Sequence, residues 1–278
     1  MSHLLTWLRL ACCIYGMNLE LTGKRVLVTG ASKGIGLAIV RAFVAEGASV
    51  TAVSRTSTPE LETTGATFVA ADLAELDGPR RAVGAVLAAD PRLDVLVNNA
   101  GGGTMSDGSF TDPLDGSDDD WTGTFALNLN AAVRTTRAAL PALLEARGAV
   151  VSISSDSALR PGAAPLPYAT AKAALNAFSR GLAEKVGAQG VRVNVVTPSG
   201  TRTTIMEGKD GFAAQLAAHL GMDHAALVAA MPGQGGMLTG ALIEPDEIAR
   251  VVLLLASPTM PSAIGANWLV DAGAMKTV

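Results

Sequence analysis

Val26 to Gly36 reads VLVTGASKGIG, an aliphatic and β-branched run that gives way to three glycines. The run reads as a buried strand, and the residues after Gly34 as the first turn of a helix. Glycine at Gly30, Gly34 and Gly36 lets the backbone approach a pyrophosphate closely, while the unpaired N–H groups and dipole of a new helix favour negative charge. The spacing is GxxxGxG rather than GxGxxG. A glycine triplet alone also suits an ordinary tight turn, but one that follows a strand and opens a helix points to a dinucleotide.

Outward from this turn, short β-branched runs alternate with longer alanine-rich ones. The pattern predicts strands over Arg25 to Thr29, Ser49 to Ser54, Thr67 to Ala70, Val95 to Asn98, Ala149 to Ser154, Val191 to Val196 and Asn267 to Val270. Helices are expected over Ile35 to Glu46, Leu76 to Ala89, Trp121 to Ala146, Tyr168 to Lys185 and Pro245 to Leu255, with Glu46-Gly47 and Arg147-Gly148 as glycine stops. Parallel strands joined by right-handed crossovers give an α/β fold: a Rossmann-type, doubly wound, parallel seven-stranded sheet with helices on both faces, in one domain.

Two stretches interrupt the rhythm, the glycine- and aspartate-rich Gly101 to Asp120 and the segment Thr201 to Glu244; both are expected as loops or lids near a site. The second, a substrate lid at about 201–244, carries Met206, Phe212, Leu216, Leu220, Met222, Leu227, Met231, Met237 and Leu238. These suit either an adaptable apolar pocket or helices packed on the body. Residues 1–16 read as an N-terminal extension ahead of a domain spanning 17–278, or as an amphipathic helix with a packing role. Arg9 breaks their apolar run well short of a membrane span.

Composition narrows the function classes. Apolar residues make up 49% of the 278 residues and charged ones 17%, so the chain folds around a substantial core. A formal charge of −4, with no run of Lys or Arg, leaves no footprint for nucleic acid or an anionic membrane. The two cysteines, Cys12 and Cys13, are adjacent and near the start, which excludes a disulfide framework and fits a reducing, cytoplasmic setting. His3, His219 and His224 do not form a metal-ligand pattern, so no metal is expected. Only two tyrosines occur, Tyr15 and Tyr168.

The second strand ends at Ser54, where a carboxylate would normally hold the adenosine ribose. Instead Arg55 follows, and Lys33 stands beside Ser32 in the glycine turn. Two cations and a hydroxyl can converge on a 2′-phosphate, which selects NADP(H) over NAD(H) unless both cations are simply solvated. Asp72 after the third strand suits an adenine amino group or a turn cap. In LVNNAG, Asn98 and Asn99 can tie strand ends together, and Ala100-Gly101 leave room for a cofactor.

The chemistry is clearest in Ile153 to Lys172, ISSDSALRPGAAPLPYATAK. Tyr168 and Lys172 are four apart on a helix begun by Pro165 and Pro167, so phenol and ammonium share a face. A nearby cation is expected to lower the tyrosine pKa from its reference of about 10 toward neutrality, as an acid–base catalyst needs. Ser155, at the carboxyl end of the fifth strand, can donate to a carbonyl oxygen.

Taken together, TGASKGIG, NNAG, Asn128 in ALNLNAA, Ser155, Tyr168-xxx-Lys172 and NVVTPSGTRT from Asn194 to Thr203 resemble the short-chain dehydrogenase/reductase family from about Leu21 to Ala274. The resemblance implies a catalytic tetrad: Tyr168 as proton donor or acceptor, Lys172 holding the nicotinamide ribose, Ser155 orienting the substrate oxygen and Asn128 positioning a relay water. It implies hydride transfer between a nicotinamide and a carbonyl or alcohol carbon, here on a mostly apolar ketone or secondary alcohol. It extends the cofactor contacts to Ile35, Leu73, Pro198, Thr201 and Thr203, and it implies a homotetramer or homodimer. One departure is Pro198-Ser199-Gly200, where the family commonly has Pro-Gly. The rival reading is a catalytically silent NADP(H)-sensing protein on the same fold, which has no need of Tyr168 and Lys172; an epimerase or dehydratase would prefer a larger substrate domain.

Overall fold

The computed structural model describes residues 17–102, 112, 114 and 116–276. The expectations for residues 1–16, with His3, Cys12, Cys13 and Tyr15, and for residues 103–111 lie outside them. Seven strands form one sheet: β1 (Arg25–Thr29), β2 (Ser49–Ser54), β3 (Thr67–Ala70), β4 (Val95–Asn98), β5 (Ala149–Ile153), β6 (Arg192–Pro198) and β7 (Asn267–Val270). Their order is β3-β2-β1-β4-β5-β6-β7 and every pairing is parallel. The order reverses between β1 and β4, so the loops leaving these two strands diverge and open a crevice at their carboxyl ends.

Helices cover both faces. On one, α1 (Gly34–Ala45) packs against α10 (Pro245–Ala256), with Ile39, Phe43, Ile248 and Leu255 fully buried among Val26, Val28 and Val196. On the other, α3 (Gly78–Ala89), α5 (Ala131–Ala146) and α6 (Leu166–Val186) close over Leu27, Leu96, Val150 and Val193. Odd and even strand positions thus feed opposite cores, which is why the central strands β1, β4 and β5 are near-continuous apolar runs rather than alternating. A short α2 (Pro59–Glu62), capped by the Thr58 hydroxyl, follows β2 and was not anticipated; four residues are too few to show a period.

The long helix expected over Trp121 to Ala146 begins earlier, as α4 (Asp118–Phe125) with a Ser117–Asp120 capping box, and runs through a π-helical turn (Ala126–Asn130) into α5. The expected loop over 201–244 is largely helical: α7 (Thr204–Glu207), α8 (Phe212–Leu220) and α9 (His224–Gln234). Its apolar residues divide by role. Leu227 is buried in packing, Met206, Phe212, Met231 and Met237 face a cleft, and Leu220, Met222 and Leu238 are exposed.

The end of α5 departs from the expected glycine stop. The left-handed residue is Arg147, at φ 49°, not Gly148. Gly148 serves close approach instead: a Cβ there would lie 2.3 Å from the Asp94 carbonyl oxygen, which accepts the Ala149 N–H. The two positions therefore respond oppositely. Arg147→Gly, which relieves a side chain held at positive φ, should stabilise the protein by about 1 kcal/mol. Gly148→Ala should destabilise it by about 1–3 kcal/mol because backbone must move. Urea unfolding of both variants checks the signs.

Candidate active site

A cleft of about 670 Å³ runs along the carboxyl ends of the strands, from the loop after β1 to the segment 201–244. Its floor is the glycine turn. A Cβ on Gly30 would sit 2.8 Å from the Ala100 Cα, one on Gly36 2.1 Å from the Gly30 carbonyl oxygen, and Gly34 holds φ at +55°. Each glycine is thus required by contact or by conformation. The N-cap of α1 is Lys33, which makes no side-chain cap bond, so no side chain of its own fills the helix N-terminus that borders the cleft. Bare backbone, an uncapped 12-residue helix and an open cleft fit a pyrophosphate-bearing cofactor.

Every residue expected to contact the cofactor lines this cleft: Gly30, Ser32, Lys33, Gly34, Ile35 and Gly36; Ser54, Arg55, Asp72 and Leu73; Asn99, Ala100 and Gly101; Tyr168 and Lys172; Pro198, Thr201 and Thr203. Several have defined local duties. Asn99 donates through Nδ2 to the Thr29 and Gly30 carbonyls, so its side chain braces the turn, and Asn98 donates to Thr136 Oγ1 on α5. The Ser54 hydroxyl donates to the Thr56 carbonyl at 2.8 Å. Asp72 accepts the Ala74 N–H through Oδ1, the turn-capping arrangement, and still borders the cleft.

Ser155 and Tyr168 face each other across the cleft wall and share a side-chain hydrogen bond. Lys172, one turn along α6, is 3% exposed; its Nζ donates to the Ile153 carbonyl at 3.0 Å and lies 5.7 Å from the Tyr168 ring centroid. Asn128 sits behind the wall in the π-helical turn rather than on it. Its Nδ2 donates to the Gly102 and Thr124 carbonyls, and its Oδ1 accepts the Gly102 N–H. Both amide hydrogens are spent on backbone, so this side chain positions the loop after β4 and leaves no N–H for a relay water.

The electrostatics correct one expectation. Burial pushes the Tyr168 phenol up to about 12; the Ser155 hydrogen bond lowers it and the Asp156 charge raises it further. Burial also brings Lys172 down to about 8. Desolvation of both partners outweighs the attraction that was expected to bring the phenol toward neutrality. At pH 7 Tyr168 is a protonated phenol and Lys172 is still mostly an ammonium.

Residues not singled out from the sequence also line the cleft. Thr56 and Thr58 stand beside Arg55, and Thr58 donates to the Ser32 carbonyl. Asp156, Arg160 and Ser199 cluster behind Ser155. An acid adjacent to Ser155, with Arg160 four residues on, is a visible signal for the last group, but only the fold brings Ser199 to it.

With this geometry in hand, comparisons with known proteins are specific. Residues 24–214 match the family model described as short chain dehydrogenase. The chain is 33% identical over 261 residues to 2,3-dihydro-2,3-dihydroxybenzoate dehydrogenase of Escherichia coli, spanning 92% of this chain and 98% of that one. It is 32% identical over 271 residues to the uncharacterized oxidoreductase YvaG of Bacillus subtilis, spanning 94% and 100%. Among solved structures, L-sorbose reductase of Gluconobacter frateurii complexed with NADPH and L-sorbose superposes with a TM-score of 0.83 at 28% identity, covering 94% of this chain and all of that one.

The pKa of Lys172 makes a stability prediction. Between its folded value of about 8 and the unfolded reference near 10.4, only the unfolded chain keeps the proton, so stability rises with pH across that window. Below pH 8 the buried charge costs about 3 kcal/mol. Lys172→Met removes this cost but orphans the Ile153 carbonyl. It should gain about 1–2 kcal/mol at pH 7, the gain shrinking between pH 8 and 10. Denaturant unfolding at pH 7, 8.5 and 10 reads both the sign and the trend.

Proposed function

The chain belongs to the short chain dehydrogenase family of oxidoreductases, and from that premise we propose that it is an NADP(H)-dependent enzyme interconverting a ketone and a secondary alcohol on a mostly apolar small molecule. The observation that carries this reading is the continuity of one cleft, which joins the glycine turn at Gly30, Gly34 and Gly36 to Tyr168, Lys172 and Ser155. Gly30, Gly34 and Gly36 would hold the pyrophosphate of a nicotinamide dinucleotide, which when bound would supply or accept the hydride. Tyr168 is the proton donor in reduction and acceptor in oxidation; its protonated form at neutral pH is the one that donates. Ser155 would hold the substrate oxygen and Lys172 the cofactor ribose beside the phenol, while Asn128 keeps Gly102 in place through its amide.

Apolar side chains on the segment 201–244 support the substrate class. Ile205, Met206, Phe212, Met231 and Met237 line the cleft on that side, and thioethers adapt to irregular shapes. We assign this segment, at about 201–244, as the substrate lid of a domain spanning 17–278, and expect a homotetramer or homodimer in the cytoplasm.

NADP(H) is favoured by Lys33 and Arg55. Both border the cleft, and neither has an ion-pair partner among the described residues. The acid that would repel a 2′-phosphate is replaced by Ser54. The L-sorbose reductase relative, crystallised with NADPH, is consistent with this choice.

Three measurements test the reading. Tyr168→Phe keeps the ring, so NADPH binding should persist while turnover falls at least about a hundredfold; near-parental turnover would sink the acid–base role. The ratio of kcat/KM for NADPH over NADH should be at least about ten, and Ser54→Asp combined with Arg55→Ala should lower it sharply by adding a repulsion and removing a charge-assisted bond. A parent enzyme that prefers NADH, or a double variant that keeps the full NADPH preference, would refute the 2′-phosphate site. A ketone panel scored by NADPH consumption separates an enzyme from a silent sensor.

A further inference from the structure

Asp156, Arg160 and Ser199 meet behind the Ser155 hydroxyl, and the roles above use none of them. Asp156 is 8% exposed. Its Oδ2 accepts from Arg160 Nη2 at 2.5 Å and from Ser199 Oγ at 2.7 Å. Its Oδ1 has only a long, 3.4 Å contact from Ser155 Oγ. The Arg160 Nη1 donates to the Gly235 carbonyl at 3.0 Å, at the end of α9 where a cation is favoured, while Nε is buried without a partner. Ser199 is the residue by which the chain departs from the common Pro-Gly pattern.

A carboxylate beside an acid–base phenol is a liability. Its charge opposes phenolate formation, and its free oxygen competes with substrate for the Ser155 proton. Here two donors converge on the oxygen remote from Ser155, one of them carrying a full positive charge. We propose that Asp156 and Arg160 form a positioning pair for the catalytic step, Arg160 neutralising the carboxylate so that Tyr168 ionises more readily and Ser155 keeps its hydroxyl for substrate. The proposal rests on Tyr168 being the acid–base group.

The charged groups facing the phenol are Lys172 from its own helix and Asp156 with Arg160 from the turns after β5. Others on the cleft are Lys33, Arg55 and Asp72, by the loops after β1, β2 and β3, and Asp120 of α4, which accepts from Ser117. None of these is altered in the test.

The chain has two tyrosines, so in Tyr15→Phe the ultraviolet band of tyrosinate reports Tyr168 alone, with no substrate or turnover needed. Alkaline titration, read promptly after mixing and with circular dichroism confirming the fold, should give a midpoint about one pH unit lower for Asp156→Asn, which removes the opposing charge and leaves the guanidinium. Arg160→Met should give less tyrosinate than the parent at any fixed alkaline pH, and the double variant should return close to the parent. Arg160→Lys, which keeps the charge, should also stay close. Coincident titrations, or shifts of opposite sign, would reduce the pair to packing. If Arg160→Met does not fold, Asp156→Asn and Asp156→Ser against Arg160→Lys decide the question by the same criterion. Because the phenol is read directly, a negative result here leaves the turnover test of Tyr168→Phe standing, and the reverse.

Discussion

The site depends on a knot of hydrogen bonds at the point where β1 and β4 part. The Thr29 hydroxyl donates to the Val97 carbonyl and accepts the N–H groups of Asn99 and Ala100, while Asn99 Nδ2 returns bonds to the Thr29 and Gly30 carbonyls. Parallel strands diverging at a switch point leave backbone groups that neither neighbour can satisfy, and a buried unpaired amide costs about 1–3 kcal/mol. The knot satisfies them with side chains and fixes Gly30 against Ala100, closer than any Cβ would permit. The cleft floor is therefore bare backbone by construction.

The same burial that makes the sheet stable sets the electrostatics of Tyr168 and Lys172. Lys172 approaches the phenol by passing under Gly101, where a Cβ would lie 3.0 Å from Nζ and 2.9 Å from Asn128 Oδ1. Gly101, Asn128 and Lys172 thus crowd one another, and Asn128, on the π-helical turn, donates its amide to the Gly102 carbonyl. A protein selected only for stability would not keep a lysine here. A lysine buried here against an unfavourable desolvation is the kind of local inconsistency expected at a working site.

Much of this was legible in the sequence because it rests on local rules. β1, β2, β3, β4 and β7 begin and end where the β-branched runs do, and Tyr168 and Lys172 share a face because helical spacing requires it. What was not legible depends on tertiary contact. A glycine after α5 suggests the helix stop, but Arg147 takes the left-handed turn while Gly148 packs against the Asp94 carbonyl. Helical spacing reports the lysine beside Tyr168 and not the burial of both groups, which pushes the phenol up instead of down. For the segment 201–244 the sequence leaves a pocket wall and packed helices both open, and the structure shows both: α8 and α9 are helical, with Ala213, Ala217 and Leu227 buried and Met206, Phe212 and Met231 on the cleft.

That segment also sets an apolar wall of the cleft beside the polar cluster at Ser155. It is held at its base: Thr201 bridges to Ile243, and Arg202 spans Glu207 and Glu244. Near its end Leu238 donates its N–H to the Ala272 carbonyl, and the Gly235 carbonyl takes Arg160. Between these anchors, Met206, Phe212 and Met231 face the cleft while Leu220 and Met222 lie exposed at the far end of the two helices. Thioether side chains make that wall adaptable in shape. Arg160 joins the two regions, one nitrogen on the Gly235 carbonyl of the segment and the other on the Asp156 carboxylate beside Ser155.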